Sequence, residues 1–288
     1  MQLTAYVNGS LVPLQDACIH IEDRGFQFAD GVYEVIACIG GTFLDLNMHL
    51  QRLRYSCEAI AINLPCSLHE LAAKIEAIYQ ANPFDDAMIY VQITRGCAAR
   101  SHFPVTTLTP SLIMTVRELP VPASDTLAQG AKAITLADIR WKRCDIKSVA
   151  LLASVMGKQE AARKQADEAI WLDEQEHILE GCSTNVLAVI DGCLVTHPLG
   201  HRVLGGITRK IALHLAEQHG IRVIERPWRH SEPGLEECML SSTTQGILPL
   251  CHIDGNVVGN GLPGPLTLRL REWLLQHFEM LKQGKGAT

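Results

Sequence analysis

None of the ten cysteines (Cys18, Cys38, Cys57, Cys66, Cys97, Cys144, Cys182, Cys193, Cys238 and Cys251) stands three residues from another. Without a CxxC pair, zinc-knuckle and thioredoxin-type readings have no support. The scattered thiols read as small buried hydrophobes of a reducing compartment. Basic residues do not gather either. There are 25 Lys and Arg against 31 Asp and Glu, for a net charge of -6. With no basic stripe, nucleic acid is excluded as an expected partner. No apolar stretch is long enough to span a bilayer. The opening Met1-Gln2-Leu3-Thr4-Ala5-Tyr6 lacks the basic region and apolar run of a secretory leader. No repeat or low-complexity segment occurs, and no metal site is expected. The expectation is a soluble, cytoplasmic protein.

What is present is ordinary globular material. Hydrophobic residues make up 47% and charged residues 19% of 288 residues, enough for two domains with real cores. Asn8-Gly9 between apolar runs predicts a hairpin. Val32 to Leu46 reads as two strands joined at Gly40-Gly41. Asn47 is expected to cap a helix running to about Ile60, and Ser67 with Glu70 forms a capping box for another ending near Ala81. Met88–Thr94 and Leu112–Val116 read as strands. This order of strands, helices and strands is an α+β pattern. The proline-bearing stretch from Glu118 to Ser124 is the best linker, and it divides the chain into domains 1–120 and 121–288. Beyond it, Ala131 to Ile139 and Glu168 to Leu172 read as strands, with a helix from Ser148 to Gln165 between them. A hairpin turns at Asp191-Gly192, and a helix runs from Ile207 to His219 with Gly220 as its stop. A further hairpin turns at Asp254-Gly255, before a closing amphipathic helix from about Leu266 to Leu281.

Several short segments could carry chemistry. Gly205-Gly206-Ile207-Thr208 opens a helix on two glycines, so unpaired N–H groups and the positive dipole end could cup a phosphate. Ser241, Ser242, Thr243 and Thr244, four consecutive hydroxyls after a predicted strand, could complete that cup. Lys147 is expected where a helix begins, and burial with the dipole would tune it as an amine nucleophile. Lys142 and Arg143 stand close by, so the residues alone leave the choice open. Glu180, just before a Gly/hydroxyl turn, could pair with a protonated pyridine nitrogen. Arg100 and His102, two apart on a predicted loop, could converge on one carboxylate. Taken one at a time, each of these is more simply a turn, a polar loop, a surface lysine or a basic pair. Together they are the four parts that a pyridoxal 5'-phosphate (PLP) aminotransferase needs.

The chain resembles the fold-type IV PLP enzymes, and within them the D-amino acid (D-alanine) aminotransferase branch. The resemblance covers nearly the whole length. It rests on the run from Glu22 to Glu34 (EDRGFQFADGVYE), on His49-Leu50-Gln51-Arg52-Leu53, and on the run from Arg140 to Ser148 (RWKRCDIKS). It continues through Glu180 to Asn185, Gly205 to Arg209 and Ser242-Thr243-Thr244. It implies a smaller N-terminal α+β domain and a larger C-terminal pseudo-barrel domain, with PLP between them. It implies that Lys147 carries PLP as a Schiff base and moves the proton, and that Glu180 partners the pyridine nitrogen. Arg52, Gly206, Ile207, Thr208, Ser242, Thr243 and Thr244 would hold the phosphate, and Leu204 would touch the ring. Tyr33, Arg100 and His102 would trap the substrate α-carboxylate, with Arg100 and His102 supplied by the neighbouring subunit of a homodimer. Cys182 and the Cys97-Ala98-Ala99 loop depart from that branch. The implied reaction is D-alanine + 2-oxoglutarate = pyruvate + D-glutamate. The alternatives are aminodeoxychorismate lyase, a D-selective amine transaminase, or a PLP carrier without turnover.

Overall fold

A computed structural model describes residues 3–103 and 108–285, so Met1 and Gln2 of the leader reading lie outside the described residues. The chain divides into two compact units. One comprises Met1–Pro120 with Ile146–Ala150, the other Val121–Asp145 with Leu151–Thr288.

The first unit is an antiparallel sheet covered by helices. Its elements are β1 (Thr4–Val7), β2 (Ser10–Pro13), α1 (Arg24–Phe28), β3 (Gly31–Ile39), β4 (Thr42–Phe43), α2 (Leu46–Ala59), α3 (Leu68–Gln80), β5 (Ala87–Thr94) and β6 (Ser111–Glu118). The strand order is β2-β1-β6-β5-β3-β4. The β1–β2 hairpin turns at Asn8-Gly9, both at positive φ (48° and 103°), where glycine is nearly free of strain. Period-2 alternation decides the faces. Val32, Ile36, Ile89, Val91, Ile93, Met114 and Val116 pack against Leu50, Leu53 and Cys57 of α2 and Leu71, Ile75 and Ile78 of α3. Tyr33, Tyr90 and Gln92 stand on the opposite, half-buried face.

The Ser67–Glu70 capping box forms as expected, with Ser67 accepting from the Glu70 N–H and Glu70 accepting from the Ser67 N–H. Such a cap contributes about 1 kcal/mol. Asn47 does not cap α2. The helix starts at Leu46, and Asp45, in left-handed conformation at φ 49°, holds the cap position without a capping hydrogen bond from its side chain. A larger correction concerns the segment after Lys147. The helix expected from Ser148 begins only at Leu152. Residues 147–149 are extended instead: Tyr33 N–H donates to Lys147 O at 2.9 Å and Val149 N–H to Gly31 O at 3.0 Å. They lie beside the first residues of β3, with Val32 and Ser148 paired.

The second unit is a barrel with helices outside. Its elements are α4 (Ser124–Gln129), β7 (Ala131–Ala137), α5 (Leu152–Arg163), β8 (Glu168–Leu172), β9 (Ile178–Gly181), β10 (Asn185–Ile190), β11 (Cys193–Thr196), α6 (Ile207–Gln218), β12 (Val223–Glu225), β13 (Leu235–Ser242), β14 (Gly246–Ile253), β15 (Asn256–Val257) and α7 (Pro265–Lys282). The path β10-β13-β14-β7-β8-β9 closes because β9 also pairs with β10, through Asn185 and Glu180. The result is a six-stranded barrel extended by β11, β12 and β15. Ala133, Ile170, Ile178, Val186, Ala188, Cys238, Leu240, Leu248 and Leu250 form its core. The expected linker is partly regular structure, since Glu118 ends β6 and Ser124 starts α4. Among the described residues, no helix is long and apolar enough to cross a membrane, and no group of three or more His, Cys, Asp or Glu could hold a metal.

Candidate active site

In the first unit, the extended segment beside β3 delivers Lys147 to the half-buried face of the sheet. Its Nζ lies 4.5 Å from the centroid of the Tyr33 ring. It also donates to the Tyr33 hydroxyl at 3.5 Å, the outer limit of a hydrogen bond. Tyr33 stacks on Tyr90 with centroids 5.6 Å apart. The Tyr90 hydroxyl donates to Gln92 Oε1 at 2.7 Å, and burial, with Tyr33 beside it, pushes its pKa up to about 12. Ser56, on α2, accepts from the Lys147 N–H at 3.2 Å. Lys142, the rival lysine, is exposed and reaches Glu174 at 3.4 Å.

The opposite face of β3 carries a charge cluster in which Glu34 and His49, left without a role by sequence reasoning, meet Arg52. Glu34 is fully buried at 0% exposure and His49 nearly so at 1%. Arg52 grips Glu34 with Nε to Oε1 at 2.7 Å and Nη2 to Oε2 at 2.9 Å, while His49 Nδ1 meets Oε2 at 2.8 Å. Burial pushes the Glu34 carboxyl up. Arg52 and His49 more than reverse this and hold it down at about 2. The signal was available: Glu34 alternates with Val32 and Ile36 on an apolar face, and a carboxylate there demands a partner.

Arg100 and His102 gather around Phe28, the last residue of α1. The Arg100 guanidinium carbon is 5.0 Å and the His102 ring 5.4 Å from the Phe28 centroid, and both residues are exposed. Arg24 lies over the same ring at 4.8 Å and donates to Ser101 O at 2.6 Å. Phe28 was not anticipated as the platform for this pair.

In the second unit, Glu180 lies on β9, a four-residue strand that was read as loop. It is 5% exposed. Oε2 accepts from Leu204 N–H at 2.9 Å and Asn185 Nδ2 at 3.1 Å, and Arg140 Nη1 binds Oε1. Arg140 also grips Asp138 through Nε at 2.9 Å. Burial works against the Arg140 cation, but the Glu180 and Asp138 carboxylates outweigh it, so its pKa is raised.

Asn185 Nδ2 also donates to Leu204 O at 2.9 Å, which fixes the approach to α6. That helix starts on Gly206, which has no side chain to cap it. A Cβ on Gly206 would fall 1.9 Å from Asn185 Oδ1, so only glycine fits against the Asn185 side chain. Ile207 and Thr208 in the first turn are buried. Helix N-termini of this kind attract anions. Ser242 ends β13, and Thr243 and Thr244 turn toward β14, with Ser242 Oγ accepting from Gln245 N–H at 3.3 Å. Cys182 is half-buried, and burial, reinforced by Glu168, lifts its thiol to about 12, so it is not a thiolate nucleophile.

Residues 31–253 match the profile described as "Amino-transferase class IV". The chain belongs to the class IV aminotransferase family. Among curated relatives, it is 37% identical over 275 residues to a D-alanine aminotransferase of Listeria monocytogenes, covering 94% of this chain and 95% of that one. It is 40% identical over 262 residues to a D-alanine aminotransferase of Bacillus licheniformis, covering 90% and 92%. Among solved structures, a branched-chain amino acid aminotransferase of Escherichia coli superposes with a TM-score of 0.88 at 27% identity, over 100% of this chain and 97% of that one. A class IV aminotransferase with an antiparallel N-terminal sheet and a six-stranded C-terminal barrel is therefore the architecture within which the side chains above are placed.

Proposed function

We propose that this chain is a cytoplasmic D-amino acid aminotransferase that exchanges the amino group of D-alanine with 2-oxoglutarate to give pyruvate and D-glutamate, using PLP carried on Lys147. The observation that carries the reading is the near-full-length identity of 37–40% with D-alanine aminotransferases of two genera. The residues fit the cofactor. A phosphate suits the uncapped, glycine-entered start of α6, where the buried Thr208 sits in the first turn. A buried hydroxyl on β13, Ser241, has no hydrogen-bond partner among the described residues.

Arg52, the Ile207 N–H, Thr208, Ser242, Thr243 and Thr244 would hold the phosphate, Gly206 would leave room for it at the helix end, and Leu204 would offer the ring an apolar contact. Glu180, fixed by Arg140, Asn185 and the Leu204 N–H, would pair with the pyridine nitrogen. Bound PLP supplies an electron sink for the charge left on the substrate α-carbon. Lys147 Nζ would hold the cofactor covalently, and would take the proton from the substrate α-carbon and later return it. Tyr33 with Arg100 and His102 binds the α-carboxylate, the latter two in the site of the neighbouring subunit of a homodimer. A planar guanidinium suits that role through its two parallel donors.

The test is the visible spectrum of the purified protein before and after each alanine enantiomer. The yellow band is expected to bleach with D-alanine and to persist with L-alanine. A colourless protein that PLP cannot reconstitute overturns the proposal. So does one that ignores D-alanine yet releases pyruvate from aminodeoxychorismate, which marks a lyase. Arg100→Ala is expected to raise KM for D-alanine by about tenfold or more, because a bidentate carboxylate contact is lost. Undiminished affinity for D-alanine in that variant, measured by steady-state kinetics, points to an amine transaminase.

A further inference from the structure

Ser241 is the penultimate residue of β13, and its side chain is 3% exposed. Its Oγ is buried and has no hydrogen-bond partner among the described residues. Buried hydroxyls are rarely left so, because the lost hydration is not replaced. The neighbours across the sheet show where the group stands. Asn185 is directly opposite Ser241 on β13 and also directly opposite Glu180 on β9. Directly opposed residues share one face of a sheet. Glu180, Asn185 and Ser241 therefore form a buried row across three strands, with Glu180 and Ser241 at its ends, two strand spacings or about 10 Å apart. Asn185 in the middle donates through Nδ2 to Glu180 and to Leu204 O, and its Oδ1 lies 1.9 Å from where a Cβ on Gly206 would be. The row thus runs against the uncapped start of α6, and the unpaired hydroxyl is at the end away from Glu180.

We propose that Ser241 is a further ligand of the cofactor phosphate, donating its hydroxyl proton to a phosphate oxygen alongside the N-terminus of α6. This rests on the PLP reading above and gives Ser241, the first of the four consecutive hydroxyls, a specific partner that the roles assigned to Ser242, Thr243 and Thr244 do not include. Two consequences of opposite sign follow. Without cofactor the hydroxyl is a buried, unpaired dipole, so its removal does not weaken the apoprotein. With cofactor it makes a charge-assisted hydrogen bond, so its removal weakens binding.

The experiment compares Ser241→Ala and Ser241→Thr with the parent chain. The resolved apoprotein is titrated with PLP and with pyridoxal, which lacks the phosphate, and each apoprotein is unfolded in urea. For Ser241→Ala, the PLP dissociation constant is expected to rise about tenfold and that of pyridoxal to change less than about twofold. The urea midpoint of the apoprotein is expected to hold or rise. Ser241→Thr, which keeps the hydroxyl, is expected to restore PLP affinity to within about threefold of the parent. Unchanged PLP affinity in Ser241→Ala overturns the proposal, and so does an equal loss for PLP and pyridoxal. A lowered apoprotein midpoint with unaltered PLP binding assigns the hydroxyl a purely structural partner, and also overturns it. A parent chain that binds no PLP overturns the cofactor reading itself, a different outcome from any of these.

Discussion

Lys147→Ala is expected to remove transamination and the visible cofactor band together, while Lys142→Ala keeps both. Losing a positioned proton-transfer group alone costs roughly 10²- to 10⁴-fold in kcat. Lys147 is proposed to serve also as the covalent anchor, so the combined loss in kcat is expected to exceed 10⁴-fold. The contrast between the two lysines rests on their settings. Lys147 Nζ is placed over the Tyr33 ring at 4.5 Å, on a segment hydrogen-bonded to β3 through Tyr33 N–H and Lys147 O. Lys142 Nζ reaches only an exposed glutamate at 3.4 Å, a pairing worth little in solvent. Small primary amines added to Lys147→Ala are expected to restore part of the turnover by supplying the missing base. An unaltered band and rate in Lys147→Ala moves the anchor to another residue and sinks the assignment.

Most turns and helix ends were legible because local chemistry sets them. Asn8-Gly9, Asp191-Gly192 and Asp254-Gly255 all form tight turns at positive φ, and Ser67 caps α3 as its spacing with Glu70 demands. The setting of Lys147 was not legible. A helix was expected to begin at Ser148, and its dipole was invoked to tune the lysine. Residues 147–149 instead pair with β3, and α5 begins at Leu152, so the dipole, which fades within a turn, is not the source of any tuning. The Ala- and Leu-rich composition of 148–165 favoured helix, and long-range pairing with β3 overrode that propensity. Strand β9 was missed for a related reason. Four residues give no period to read, and its partners, β8 and β10, are defined only once the barrel closes. The same closure explains why Arg140 and Asn185 were not recognised as partners of Glu180, since only the barrel register aligns them.

Glu34 carries the second large effect, and it concerns stability. Its carboxylate is fully buried on the helix-packed face of β3, where only Arg52 and His49 compensate for lost hydration. Glu34→Ala removes the carboxylate that Arg52, only 11% exposed, grips through two hydrogen bonds. Breaking such a pair from one side costs about 3–5 kcal/mol, which makes this one of the most damaging single changes available in the N-terminal unit. Glu34→Gln, which keeps the shape but not the charge, is expected to cost less and still to weaken PLP binding, because Arg52 is proposed to hold the phosphate. The pH dependence has a definite sign. The carboxyl is held at about 2 in the folded chain against an ordinary 4.5. A depressed acid stabilises the fold above its unfolded pKa, and the contribution is lost as pH falls from about 4.5 toward 2. The shift corresponds to roughly 3 kcal/mol. Urea unfolding of the apoprotein across pH 2 to 6 is therefore expected to show a steep loss below pH 4.5 in the parent chain. In Glu34→Gln that slope is expected to flatten, leaving a less stable protein at pH 6 whose stability responds less to acid. Equal slopes in the two chains would show that the pair carries no stability of its own and would remove Glu34 as the group holding Arg52.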